Sequence, residues 1–265
     1  MNDGILSFLL DATNWQPGNN DGFVNRTIEH LGYSATALVI AFVVAFPLGL
    51  LIGHTNRGAF LAINLGNAGR ALPTLGVVML VLAIVGVGLT PVTVALVVLA
   101  IPPILTTTYA GMRAVSGATV DAARGVGMKE WQIVFQVELP NAWPIVFGGL
   151  RNAALQVVST ATLAAYVGLG GLGRYLFDGL ALRDYPRVVA GAIVLAVLAV
   201  VVDLVFSLVQ RLVVSPGVDG RASRGPRRGS NAPAALTASE DVPDVADDAP
   251  TPGGVGMDKA PRKSL

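Results

Sequence analysis

The sequence predicts an all-α, polytopic membrane protein of about five transmembrane helices. Three observations carry that prediction. Hydrophobic residues make up 53% of the 265 residues and charged residues 13%, against about 25% charged in a soluble domain. Apolar runs of about 20 residues recur along the chain. In lipid such a run must be helical, because nothing there bonds to an open backbone. The charges are also unevenly placed. Residues 216–265 hold seven basic and seven acidic residues with seven Gly and seven Pro, which leaves a sparsely charged apolar body before them. The same composition excludes other classes. A net charge of +1 argues against nucleic acid as a partner. The absence of Cys excludes a disulfide scaffold, and the hydrophobic content excludes a disordered chain.

Residues 1–27 read as an extracytoplasmic N-terminal segment. Ile5–Leu10 is too short for a signal peptide, and Asp3 precedes it in place of Lys or Arg. Residues 28–213 form the transmembrane domain. Its spans are Leu31–Gly53, Ala71–Gly88, Val92–Met112, Asn141–Tyr166 and Val188–Leu208. Before the second span, Ala59–Asn67 reads as a short helix at the cytoplasmic side. Pro102 and Pro103 remove two helix donors and break the middle of the third span. Gly49 and Gly53 make a Gly-xxx-Gly packing face. Asp203 is the only carboxylate in the fifth span, which makes it a functional candidate or, on the favoured reading, the partner of a cation such as Arg151 near the cytoplasmic side. Residues 214–265 form a disordered cytoplasmic tail, since they lack the apolar surface to offset ordering entropy. Four tail arginines, Arg221, Arg224, Arg227 and Arg228, suit anionic lipid head groups. The bias of Arg57, Arg113, Arg124 and Lys129 to one side favours the N-terminus outside and the C-terminus cytoplasmic.

One loop is too long and too patterned for a simple connection: residues 113–141, RAVSGATVDAARGVGMKEWQIVFQVELPN. Val120, Ala123, Val126 and Gly127 fall at helical spacing. Thr119 is the expected N-cap, with Asp121 in the first turn where a carboxylate suits the helix dipole. Small residues at 122, 123 and 125 give a face that another surface can approach, and Gly127 suits a left-handed helix end. Trp131, Ile133, Val134, Phe135 and Val137 make a second apolar stretch, broken at Leu139-Pro140. On pattern alone, docking to a protein groove and lying on the bilayer are equally served.

Asp121-Ala122-Ala123, Gly127, Val137 and Leu139-Pro140 match, at every spacing, the EAA loop of ABC-importer permeases. The chain resembles that family over about residues 30–212, with Asp121 standing where Glu is usual. The resemblance implies the type I importer permease fold. It also implies that Asp121, Ala122, Ala123, Gly127, Leu139 and Pro140 couple the chain to a cytoplasmic ATPase. Residues 122–151 and 160–185 look most like the osmoprotectant branch (glycine betaine, choline, carnitine). The second of these segments also resembles permeases for methionine and other small solutes.

No Gly precedes a Lys, so the chain has no phosphate-binding loop. ATP is then the substrate of a partner subunit. The chain itself is expected to be no enzyme, with no catalytic residue, cofactor or metal site; His30 and His54 are separated in topology. The expected partners are ABC ATPase subunits, a second permease copy or a related permease, an extracytoplasmic solute-binding protein and membrane lipid. Ser159, Thr160 and Thr162 in the fourth span serve either as helix–helix bonds or as pathway lining. Gly168, Gly170, Gly171 and Gly173 form a close-packed bend at the outer mouth, given the resemblance. Their GxGxxG spacing follows a membrane span, so a dinucleotide site is not expected. An ion-coupled secondary carrier is the alternative from another class, but Asp203 alone is a poor set of coupling residues.

Overall fold

The computed structural model describes residues 2–71 and 73–213, and those residues form helices joined by short turns. In chain order they are α1 (Asn2–Leu10), α2 (Phe23–Thr55), α3 (Ala59–Ala71), α4 (Thr74–Val85), α5 (Leu89–Arg113), α6 (Gly117–Gly125), α7 (Glu130–Gln132), α8 (Leu139–Thr160), α9 (Gly173–Leu182) and α10 (Tyr185–Val213). The tail at 214–265 lies outside the described residues.

α2, α5 and α10 are each long and apolar enough to cross a membrane, and α3 with α4 forms a pair bent by 101° that counts as a fourth span. α8 is more polar, yet its 22 residues extend about 33 Å at 1.5 Å per residue. Several boundaries differ from the sequence reading. α2 begins at Phe23, well before Leu31, because Phe23 is fully buried against Phe8, Trp15 and Tyr175. α5 runs unbroken through Pro102 and Pro103. The hydroxyls of Thr106 and Thr107 bond back to the carbonyls of Pro102 and Pro103 within that helix. Leu139-Pro140 does not interrupt the chain either. Ile133–Glu138 is a π-helical turn leading directly into α8, and Pro140 falls in the first turn of α8, where a missing N–H costs little.

α5 is the hub. α2 and α8 pack along it over their lengths, and α3 and α4 cover it as well. Small residues set the separations. A β-carbon on Gly49 would lie 2.6 Å from Thr108 Cβ, and one on Gly53 would lie 2.5 Å from Met112 Cβ. On Gly69 it would meet Pro102 at 2.6 Å, and on Gly149 it would overlap Thr107. The Gly-xxx-Gly face of α2 is thus a contact with α5. The expected ion pair is present: Arg151 on α8 donates through two nitrogens to both carboxylate oxygens of Asp203 on α10. Fork geometry of this kind satisfies both charges where water is scarce.

Gly149→Ala should lower the thermal midpoint of the detergent-purified protein, with overpacking of about 1–3 kcal/mol outweighing a helix-propensity gain of up to about 1 kcal/mol. Gly148→Ala is the control. Its β-carbon meets nothing within 4 Å, so its midpoint should stay the same or rise.

Candidate functional site

The 113–141 loop is folded. α6 starts at Gly117, with Ser116 as N-cap and no side-chain bond to it. Thr119 is therefore not the cap. Asp121 sits at mid-helix, paired with Arg124 at 3.3 Å, and not in the first turn. The helix ends as expected at Gly127, whose φ of 85° is left-handed. Gly127 N–H donates to Arg124 O and Met128 N–H to Ala123 O. Those two bonds make a Schellman motif that satisfies the last carbonyls.

The faces of α6 are not distributed as the spacing suggested. Val120 and Ala123 are buried, at 9% and 8% exposure, and pack against Ile133 with Val115, Met128 and Val137 alongside. Ala123 is small because α6 lies against the following π-helical turn, so it is not part of the outward surface. Ala122 and Asp121 face outward, as does Val126 at 79% exposure. Trp131 and Phe135 are exposed as well. Leu139 packs on Leu50, Met112, Ala142 and Val146, which joins the loop to α2, α5 and α8.

Beneath this loop lies a cluster that no sequence motif marks. His54, in the last turn of α2, places Nδ1 2.6 Å from the Oε2 atom of Glu138 and Nε2 3.0 Å from the Oε2 atom of Glu130. Glu138 is buried. Glu130 also accepts from Arg124 at 2.9 and 3.1 Å. That bond, with the charges of Arg124 and His54, holds the Glu130 carboxyl below the ordinary carboxylate range. The pair is thus complete at neutral pH and is lost only as pH falls through that lowered value. A signal was present in the sequence, namely ionisable residues at the end of a span and inside an apolar stretch of an otherwise charge-poor body.

At the opposite end of α2, the glycine turn is held closely. Gly168 and Gly171 have φ of 82° and 87°. Gly171 N–H donates to Glu29 Oε2 at 2.8 Å, and a β-carbon on Gly170 would overlap that same carboxylate. On Gly173 it would overlap Thr162 O. Arg26 donates to both Asp21 and Glu29. His30 is fully buried, with Nε2 2.8 Å from Val158 O. The Tyr175 hydroxyl donates to Asp21 O, and burial pushes that phenol up to about 12. The turn follows a helix, without the strand that a dinucleotide site requires.

Of the span-four hydroxyls, Thr160 is buried, Thr162 bonds back to Ser159 O at 2.8 Å, and Ser159 is exposed. Asn152, Gln156 and Ser159 share one face of α8 by their spacing. The first two line a cavity of about 210 Å³ with Gly66, Gly69, Pro102, Pro103, Thr106 and Thr107. Among the described residues this lining carries polar groups and no charge.

The fold is a polytopic helical bundle with a packed helix held between two of its long helices. Residues 45–215 match the family described as binding-protein-dependent transport system inner membrane component, and the chain belongs to it. The glycine betaine/carnitine/choline transport system permease protein OpuCB of Bacillus subtilis (strain 168) is 35% identical over 202 residues, covering 76% of this chain and 93% of that protein. The osmoprotectant import permease protein OsmY of Salmonella typhimurium is 38% identical over 177 residues, covering 66% and 75% respectively. Among solved structures, an inward-facing conformation of the MetNI methionine ABC transporter aligns with a TM-score of 0.64 at 22% identity. That match covers 76% of this chain and 100% of the other. The likeness shows the fold.

Ala123→Arg should speed amide hydrogen exchange across residues 117–126 markedly, because it forces a charge into a packed site at a cost of at least about 2 kcal/mol. Ala122→Arg, one position away on the outward face, should leave that exchange unchanged.

Proposed function

We propose that this chain is the permease subunit of an ATP-driven importer for small osmoprotectant amines such as glycine betaine, choline or carnitine. The observation that carries the reading is the EAA spacing seated on a folded, partly apolar loop between two spans. The names of relatives at 33–38% identity support the solute class.

In this reading the loop lies in the cytoplasm and docks into a separate ABC ATPase. Asp121, Ala122 and Val126 touch that partner directly. Ala123, Gly127, Leu139 and Pro140 shape the loop and join it to the spans. ATP is bound and hydrolysed by the partner, and this chain holds no cofactor. A second permease, a copy or a related chain, completes the route. A solute-binding protein delivers cargo at the extracytoplasmic face, where residues 168–173 form the outer gate against Glu29 and His30. The N-terminus lies outside, and the tail at 214–265 lies in the cytoplasm. Ser159, Asn152 and Gln156 line the pathway with uncharged polar groups, which suits passage of a zwitterion or quaternary amine without tight retention. Binding of ATP shifts the population between inward-open and outward-open states, because the closed ATPase pair holds the two loops in only one of them.

The test is uptake of radiolabelled glycine betaine, choline and carnitine into vesicles holding the permease, its ATPase and its receptor. Uptake of at least one of the three that requires all three components and ATP is the expected result. Uptake that persists without the ATPase would assign the chain to the ion-coupled carriers instead.

A further inference from the structure

His54 sits between two carboxylates that belong to different parts of the loop. Glu138 lies in the π-helical turn entering α8, and Glu130 opens α7. Each ring nitrogen meets one carboxylate, at 2.6 Å for Glu138 and 3.0 Å for Glu130. Both nitrogens of a histidine can take part in hydrogen bonds at once, so the ring bridges the two.

The ring joins three elements. Through Glu138 it holds the root of α8. Through Glu130, which also pairs with Arg124 and through it with Asp121, it holds α6. It is itself the end of α2, the span packed most extensively on α5. Among the described residues, Arg113 from α5 and Asp121 and Arg124 from α6 line one cavity of about 260 Å³ with His54 and Glu138. α6 otherwise packs through Val120 and Ala123 on Ile133, with Val115, Met128 and Val137 alongside.

We propose that His54 is a positioning residue for coupling, its ring carrying the displacement of the loop sideways into α2. The proposal rests on the permease reading. A pushed α6 moves Glu130 and the π-helical turn together. With both arms intact, α2 moves with them. With one arm open, the loop shifts while α2 lags, and ATP is hydrolysed without solute movement.

The experiment uses the complete importer in vesicles and reads solute moved per ATP hydrolysed. His54→Ala should leave ATP hydrolysis in place and lower that ratio by about threefold to tenfold, the scale of losing a charge-assisted pair at a partly exposed site. His54→Arg keeps donors toward both carboxylates and should restore the ratio. Glu130→Gln, at an exposed position that should not disturb folding, should lower it. An unchanged ratio in both His54→Ala and Glu130→Gln overturns the proposal, as does a ratio that His54→Arg leaves as low as His54→Ala does. The tether is also readable without transport. In the detergent-purified protein Glu130→Gln should lower the thermal midpoint less in the His54→Ala background than in the wild type; equal losses overturn the tether. Absence of ATP-driven uptake by the wild type would instead overturn the permease reading, with the stability comparison still deciding the tether.

Discussion

Close approach of backbones to α5 is the constraint on which the other helices depend. Lipid is as apolar as a leucine side chain, so burying leucines drives little association between spans, and van der Waals contact must do the work. Gly49, Gly53, Gly69 and Gly149 each face a side chain of α5 at a distance no larger residue would allow. The partners on α5, namely Thr108, Met112, Pro102 and Thr107, therefore fix the height at which α2, α3 and α8 sit. Threonine fills this role without polar cost because Thr107 and Thr108 bond back to carbonyls of their own helix. The two prolines are tolerated for a related reason, since they lie in a helix enclosed by neighbours.

The loop inherits its geometry from that bundle. Leu139 is seated on Leu50, Met112 and Ala142, so the root of α8 is placed by the α2–α5 contact. The π-helical turn adds one residue per turn there and brings Ile133 under Ala123 and Glu138 toward His54. α6 thus rests on a platform built from spans, and its end is closed by Gly127 in a conformation that glycine adopts without strain. At the other end, Glu29 and Arg26 hold the glycine turn against the start of the same α2. One helix therefore touches both the loop and the glycine turn, a physical route by which an event at one end is felt at the other.

Much of this was legible from residue types. The long apolar helices α2, α5 and α10 followed from apolar runs, the Arg151–Asp203 pair from the scarcity of charge in the body, and the Gly49–Gly53 contact from small-residue spacing. The EAA spacing led to the family. What was not legible depended on tertiary detail. Spacing cannot say whether Ala123 faces a partner or its own loop, because a small residue serves close approach in either case. The start of α2 at Phe23 required the aromatic contacts with Phe8 and Tyr175. The unbroken passage through Leu139-Pro140 required a π-helical turn, which has no sequence signature. His54 carries no motif of its own, and its carboxylate partners lie far along the chain.

The central claim is that the outward face of α6 docks the ATPase while its inward face belongs to the permease. The chain has no Cys, so single cysteines report without background. Val126→Cys and Val120→Cys, compared for crosslinking to an ATPase bearing a thiol-reactive group, test the claim most directly. A crosslink from position 126 and none from position 120 is the predicted result. Equal crosslinking from both, or none from position 126, would contradict it.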